Sequence, residues 1–374
     1  MKAPLPHLLM TTDAVGGVWV YASTLATGLI RRDWRVTLAV LGPPPSVAQR
    51  EELPTHPDLR LLHVDAPLEW QDPDGRHLAR TCHALEILTA EQSPDLVHIN
   101  GFREALADFR RPCLVAAHSC VCSWWRAVHG CAPTAPEWAR YAENVSAGLA
   151  ASDIWIAPTR AFRDTIEWLH RPLQPGLVVH NGLDHASADA TDKTPIILSA
   201  GRLWDPAKNV AAIMDCAAEL PWPIRIAGPV ASGTHAPSGC TLLGPLPRAA
   251  LLAEMRAAAI FVSPALYEPF GLTTLEAAAA GCALVLADIP SFRELWSEAA
   301  VFVDPCDAAA LSTALRRLCG DEADLRRLQQ AARRRAQRYT AEAMVARHER
   351  IYRMLLRQHP GASAQPAGPV EAHA

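Results

Sequence analysis

Two α/β domains in tandem, each a doubly wound parallel sheet with helices on both faces, are the architecture this sequence predicts. Three observations lead there. Short, continuously apolar runs alternate with longer stretches of helical period along the 374 residues. Strands of that kind are buried on both faces, which a parallel sheet between helical layers provides. The alternation also pauses once, after residue 184, and then restarts. Finally, a length of 374 residues gives two domains at ~150 residues each.

In order along the chain, strands are expected at 5–10, 35–41, 59–64, 95–99, 113–117, 154–157 and 177–179, with helical segments at 18–30, 76–91 and 136–151. Asn181-Gly182-Leu183-Asp184 is a turn signal, and 185–194 is polar and without period, so it reads as a linker. This divides the chain into an N-terminal domain, 1–184, and a C-terminal domain, 195–344. In the second domain, strands are expected at 196–200, 224–227, 241–243, 260–263, 283–286 and 301–303. Helices start near Asn209, Pro247, Leu272 and Ser291. From Asp307 to about 358 the pattern is helical, and 359–374, rich in Pro, Ala and Gly, reads as a disordered tail. Arg316, Arg317, Arg326, Arg327, Arg333, Arg334, Arg335 and Arg338 crowd the last helices. A solvated face with acids nearby is the expected reading, and an anionic partner the alternative.

Charge and cysteine use narrow the function. A net charge of −4, from 35 basic and 39 acidic residues, argues against a nucleic-acid partner. Ten cysteines are too dilute for a disulfide scaffold, and none forms a C-x-x-C pair. The closest trio, Cys113, Cys120 and Cys122, lacks the spacing of a structural zinc site, so reduced thiols and no metal are expected. Met1-Lys2-Ala3-Pro4 does not open a secretory signal, and no run reaches the ~18 apolar residues of a membrane span. A soluble, cytoplasmic protein is expected, with room for surface contact with a membrane.

Four segments could carry chemistry. Tyr267-Glu268-Pro269-Phe270-Gly271-Leu272-Thr273-Thr274-Leu275-Glu276 follows a buried strand and opens a helix. Gly271 lets a ligand approach the backbone, and the amides of Gly271, Leu272 and Thr273 suit phosphate oxygens at the positive end of a helix. Glu268 and Glu276 can accept hydrogen bonds from sugar or ribose hydroxyls, although Thr273-x-x-Glu276 also fits a capping box. Second, Gly201-Arg202 ends a strand and Lys208-Asn209 starts a helix. A guanidinium and an ammonium at the carboxyl edge of a sheet are what a diphosphate needs. Lys208 is one of only three lysines, and its place at a helix N-terminus, where the dipole disfavours a cation, calls for an anion.

Third, Asp13-Ala14-Val15-Gly16-Gly17 is a glycine turn after the first strand. It is not G-x-G-x-x-G, and no P-loop, H-E-x-x-H or G-x-S-x-G occurs, so dinucleotide, P-loop, zincin and α/β-hydrolase readings drop out. Fourth, His118 closes an apolar strand, with Trp124 and Trp125 soon after. The imidazole can bond a sugar hydroxyl, and the indoles either stack on sugar rings or pack.

Taken together, Gly16-Gly17, His118, Asn181-Gly182-x-Asp184, Gly201-Arg202 with Lys208-Asn209, and Glu268-(x7)-Glu276 resemble the family 4 (group 1) retaining glycosyltransferases of the GT-B fold. The resemblance covers the chain to about residue 358 and implies two Rossmann-like domains facing across a cleft. It implies transfer of a hexosyl group from a UDP-, GDP- or ADP-sugar to a hydroxyl of a saccharide, lipid or small molecule, with retention and without a required metal. Arg202 and Lys208 would hold the diphosphate, Glu276 the ribose and Glu268 the sugar hydroxyls. Gly201 and the 270–273 backbone (Phe270, Gly271, Leu272, Thr273) would line the donor site. Gly16 and Gly17 would approach the diphosphate, His118 the anomeric centre, and Trp124 and Trp125 the acceptor. Residues 345–358 would cross back onto the N-terminal domain. Trp19 stands where family members often carry a glutamate, and Ser297-Glu298-Ala299-Ala300 where a glycine is common. A nucleotide-sugar epimerase of the same fold and a non-catalytic scaffold are the alternatives.

Overall fold

His7-Leu-Leu-Met-Thr-Thr-Asp13 shows why the first sheet forms: His7 to Thr12 are all buried, with Leu8 and Met10 in one core and Leu9 in the other. Such a segment needs helices on both sides. The computed structural model describes residues 4–184, 193–230 and 233–360. Among them, the first sheet has seven strands, β1 (His7–Asp13), β2 (Arg35–Leu41), β3 (Leu59–Val64), β4 (Leu96–Ile99), β5 (Cys113–Ala116), β6 (Ile154–Ala157) and β7 (Leu177–Val178). They are all parallel, in the order β3-β2-β1-β4-β5-β6-β7. The second sheet has β8 (Thr194–Ala200), β9 (Ile224–Ala227), β10 (Cys240–Gly244), β11 (Ala258–Ser263), β12 (Ala283–Ala287) and β13 (Ala300–Val303). It too is parallel, in the order β10-β9-β8-β11-β12-β13.

In each sheet the direction of winding reverses beside the first strand, between β1 and β4 and between β8 and β11. Loops leaving the carboxyl ends of those pairs diverge and open a crevice, where ligands of open α/β sheets bind. The loops carrying Gly16, Asn100, Arg202 and Glu268 all leave there.

The expected strands are present, with small shifts. β1 starts at His7 rather than residue 5 because Pro6 has no amide to donate; its carbonyl instead accepts from Arg35. The long terminal helix is three helices, Ala308–Gly320, Glu322–Ala336 and Ala341–Gln358. Asp321 and Thr340 interrupt it, each accepting a backbone N–H of the next helix's first turn. Helices Val121–His129 and Arg160–His170 have no counterpart among the expected elements. Of the 185–194 segment, only its last two positions lie within the described residues; of the 359–374 tail, only its first two do.

Helix Ala341–Gln358 buries Val345, His348, Ile351, Tyr352 and Leu355 in the N-terminal core. It lies so close to helix Gly17–Ile30 that a Cβ on Gly28 would sit 2.4 Å from Val345 Cγ2. Arg32 adds a 2.7 Å bond to Glu349. Four of the crowded arginines are engaged locally, Arg317 and Arg327 with Asp324, Arg326 with Glu322, and Arg335 with the carbonyls of Leu295 and Ser297. No helix among the described residues is long and apolar enough to cross a membrane.

Candidate active site

The C-terminal wall of the crevice begins where β8 stops. A Cβ on Gly201 would touch Lys208 Cγ at 3.4 Å, so the lysine stem lies against the bare glycine backbone. Asp205 opens the short 3₁₀ turn Pro206–Lys208 by accepting Ala207 N–H at 3.0 Å. The Asn209 side chain donates to the carbonyls of Pro264 and Pro305, at 3.0 and 2.7 Å, and fixes the turn to the loop after β11. Lys208 Nζ then donates to Glu268 Oε2 at 2.6 Å. Arg202 Nη2 donates to Asp205 Oδ2 at 2.8 Å, while its Nε is buried with no hydrogen-bond partner among the described residues. Burial alone would raise the Asp205 carboxyl, but hydrogen bonds from Arg202 and Trp124 outweigh it and hold the group below its ordinary range.

Gly271 has φ +85°, a left-handed conformation that favours glycine, and a Cβ there would press on Phe292, Glu268 and Thr274 at 3.1–3.2 Å. Helix Leu272–Ala279 starts directly after it with no side chain capping its first amides. That is the anion-ready helix start expected from sequence. One of the two readings left open for Glu276 is excluded. The Thr273/Glu276 capping box does not form, because the N-cap is Gly271 and Glu276 is 8% exposed, its Oε1 taking two bonds from Arg248 at 2.9 and 3.0 Å. Burial pushes this carboxyl up, with Arg248 opposing. The Phe270 side chain is buried in the core against Tyr339, so only its backbone can serve a ligand.

The N-terminal wall faces this one closely. A Cβ on Gly16 would lie 3.4 Å from Arg202 Nη1, and one on Gly17 3.5 Å from Leu272 Cδ1. Asp13 holds the turn through Val15 N–H at 2.8 Å. Asn100, after β4, donates to Thr11 O, which leaves its Oδ1 to accept from His118 Nε2 at 2.7 Å. The imidazole proton is therefore on Nε2. His118 packs edge-on to Tyr21 at 4.4 Å, and burial, with His348 second, lowers its pKa to about 3. It is neutral at physiological pH. Trp19 is buried, its indole N–H without a hydrogen-bond partner among the described residues.

Trp124 and Trp125 diverge from the stacking role. Trp124 Nε1 donates across the crevice to Asp205 Oδ1 at 3.0 Å. Trp125 packs on His129 and Trp138, with ring centroids 4.5 and 6.2 Å away. Other bonds also join the walls: Cys120 N–H and the Ser123 hydroxyl meet Tyr267 Oη at 3.0 and 2.8 Å, and Thr159 donates to Pro269 O at 2.9 Å.

With this geometry in hand, comparison with known proteins is decisive. The description "Glycosyltransferase Family 4" matches residues 15–187, and "Glycosyl transferases group 1" matches 183–335. The chain belongs to the group 1 glycosyltransferases. Its structure resembles sucrose-phosphate synthase from Thermosynechococcus elongatus, with a TM-score of 0.78 and 19% identity over 94% of this chain and 100% of that one. It also resembles Anabaena HepE in complex with UDP and glucose, with a TM-score of 0.71 and 15% identity over 94% and 100% of the two chains. These likenesses establish the two-domain GT-B fold. In sequence, 95 residues are 41% identical to glycogen synthase of Mycobacterium tuberculosis. That stretch is 25% of this chain and spans only 23% of the relative.

Asp205, Arg248, Asn100 and Tyr267 complete the wall contacts of this glycosyltransferase and were not singled out by sequence. Asp205 had a signal, since Asp-Pro inside the Arg202–Lys208 segment marks a capped turn. Arg248 had none, because it meets Glu276 from another helix.

Proposed function

We propose that this glycosyltransferase moves a hexosyl group from a nucleoside-diphosphate sugar to an acceptor hydroxyl, with retention of anomeric configuration. The observation that carries the reading is the convergence of Arg202, Lys208 and an uncapped helix start opposite the Gly16-Gly17 turn. A diphosphate is the ligand whose charge answers all of these. The bound UDP in the Anabaena neighbour, at the same fold, supports it.

In this reading, Glu276 takes the ribose hydroxyls and Glu268 those of the sugar. The acceptor oxygen bonds to the anomeric carbon as the bond to the diphosphate breaks. Attack comes on the same face, and the acceptor proton passes to the departing phosphate oxygen. Negative charge grows on the diphosphate in that step, so Arg202, Lys208 and the helix amides act mainly in the transition state. In this reading the fixed charges do the work a divalent ion does elsewhere, and added Mg²⁺ is expected to leave the rate of nucleoside diphosphate release unchanged. Neutral His118, with its proton on Nε2 committed to Asn100, offers Nδ1 as an acceptor for a sugar hydroxyl.

The test is release of nucleoside diphosphate from a panel of UDP-, GDP- and ADP-sugars by the wild type and Arg202→Ala. Release from one donor, lowered ~100- to 1000-fold in the variant, is expected. Equal release by a folded variant overturns the assignment.

A further inference from the structure

Cys120, Cys122 and His170 meet in the N-terminal domain, beneath the start of helix Val121–His129. Their ligating atoms all lie within 4.8 Å of one another and all three residues are buried. His170 comes from helix Arg160–His170, 50 positions from Cys120, so spacing along the chain conceals the group. We propose that these three side chains form a binding site for a soft divalent cation of the zinc type, separate from the donor crevice.

The orientation of the imidazole carries the argument. The Ser146 hydroxyl has one proton, given to Ala142 O at 2.9 Å. Its oxygen, 3.2 Å from His170 Nδ1, therefore accepts, and His170 carries its proton on Nδ1. The lone pair on Nε2 then faces Cys120 Sγ at 3.3 Å. Zinc-ligating histidines are held in a similar way, their other ring N–H donated to a fixed acceptor behind the ring. A pair of thiols poised to form a disulfide has no use for it.

Distances agree. A tetrahedral ion takes sulfur at ~2.3 Å and nitrogen at ~2.0 Å, hence ligand atoms roughly 3.5–3.8 Å apart. A cluster confined within 4.8 Å closes around it by shifts of about an ångström or less.

A buried carboxylate oxygen in the surroundings is unsatisfied. Glu69 Oε2 accepts from Phe102 N–H at 2.9 Å, but Oε1 is buried with no hydrogen-bond partner among the described residues. The carboxyl is close enough to interact electrostatically with both thiols. A divalent ion binds as the Cys120 and Cys122 thiols become thiolates on the metal, and their two protons pass to solvent. The ion would pin helix Val121–His129 to helix Arg160–His170. The first of these reaches across the crevice through Ser123 and Trp124.

The experiment uses the full chain, reduced and stripped by a chelator, with exposed Cys131 and Cys306 replaced by serine to silence adventitious thiols. Zn²⁺ is titrated against a chromophoric chelator, and Co²⁺ supplies thiolate-to-metal charge-transfer absorption. One ion per chain is expected, with that absorption. Cys122→Ser and His170→Ala should each weaken binding by at least ~100-fold, and Ser146→Ala, which frees the tautomer, by ~10-fold. Folded wild type that takes up no zinc overturns the proposal, as does equal affinity in all variants. If a ligand variant does not fold, wild-type stoichiometry and Ser146→Ala still decide.

Discussion

The C-terminal wall of the crevice carries its charge as ready pairs, Lys208 with Glu268 and Arg202 with Asp205. The N-terminal wall around His118 is built from neutral rings. Tyr21 Oη bonds His348 Nε2 at 2.6 Å, His98 Nδ1 bonds Tyr352 Oη at 2.6 Å, and His118 lies edge-on to Tyr21. The contrast separates two tasks. On the proposed reading, charge on one side would answer the charge that develops on a leaving diphosphate, and partly exposed pairs can exchange partners for it. Rings on the other side fix direction, and burial keeps them from titrating. In physical terms, the first wall should matter to rate and little to stability, and the second the reverse.

Lys208→Ala is the largest test of that contrast. Removing a cation from the departing diphosphate should lower kcat ~100- to 1000-fold, about 3–4 kcal/mol in the transition state. The pair with Glu268 is partly open to solvent, so stability should change by only about 1 kcal/mol or less. Steady-state kinetics and thermal unfolding of the same sample check both halves. An unfolded variant, or one with full activity, breaks the division of labour.

The converse test is acid. Burial lowers the pKa of His348 from 6.5 to about 4, against a raising hydrogen bond to Met344 O. Below pH ~6.5 the unfolded chain takes up a proton that the native helix refuses, so the stability present above that pH is lost as pH falls towards 4. The full effect is roughly 3 kcal/mol for this group. In His348→Asn, the slope of unfolding free energy against pH over that window should fall by up to ~1.4 kcal/mol per pH unit. An unchanged slope from denaturant titrations would show that His348 is not held neutral by the wall.

The same contrast explains what could be read from sequence. The charged wall lies in two short segments, 201–209 and 267–276, whose glycines, caps and charges are set by local backbone needs. Both sheets were legible for a similar reason, since strands buried on two faces write continuous apolar runs. Partners from distant elements were not. Arg248 reaches Glu276 from another helix, His348 reaches Tyr21 from 327 positions away, and His170 joins the 120–122 thiols only through packing. The Thr273/Glu276 spacing also fitted a capping box, which does not form because the buried carboxyl takes a guanidinium and glycine backbone already supplies the cap. Stacking and packing both stayed open for Trp124, because the partner of its indole N–H, Asp205, lies on the other wall and leaves no mark in the local sequence.

That last contact gives the smallest effect and the finest test, because it joins the two walls. Asp205 Oδ1 accepts from Trp124 Nε1 at 3.0 Å and from Ala207 N–H at 3.0 Å, leaving Oδ2 for Arg202. Trp124→Phe keeps the ring and deletes the donor. A hydrogen bond to a charged group is worth about 1.5–3 kcal/mol, and Ala207 and Arg202 still hold Asp205, so the low end applies. A freer Asp205 competes with the diphosphate for Arg202, which should lower turnover ~10-fold while the thermal midpoint moves little. Combining Trp124→Phe with Asp205→Asn makes the coupling explicit, since two changes acting through one hydrogen bond do not add. If their effects on turnover add in full, the tryptophan acts on the acceptor side alone, and the walls work independently.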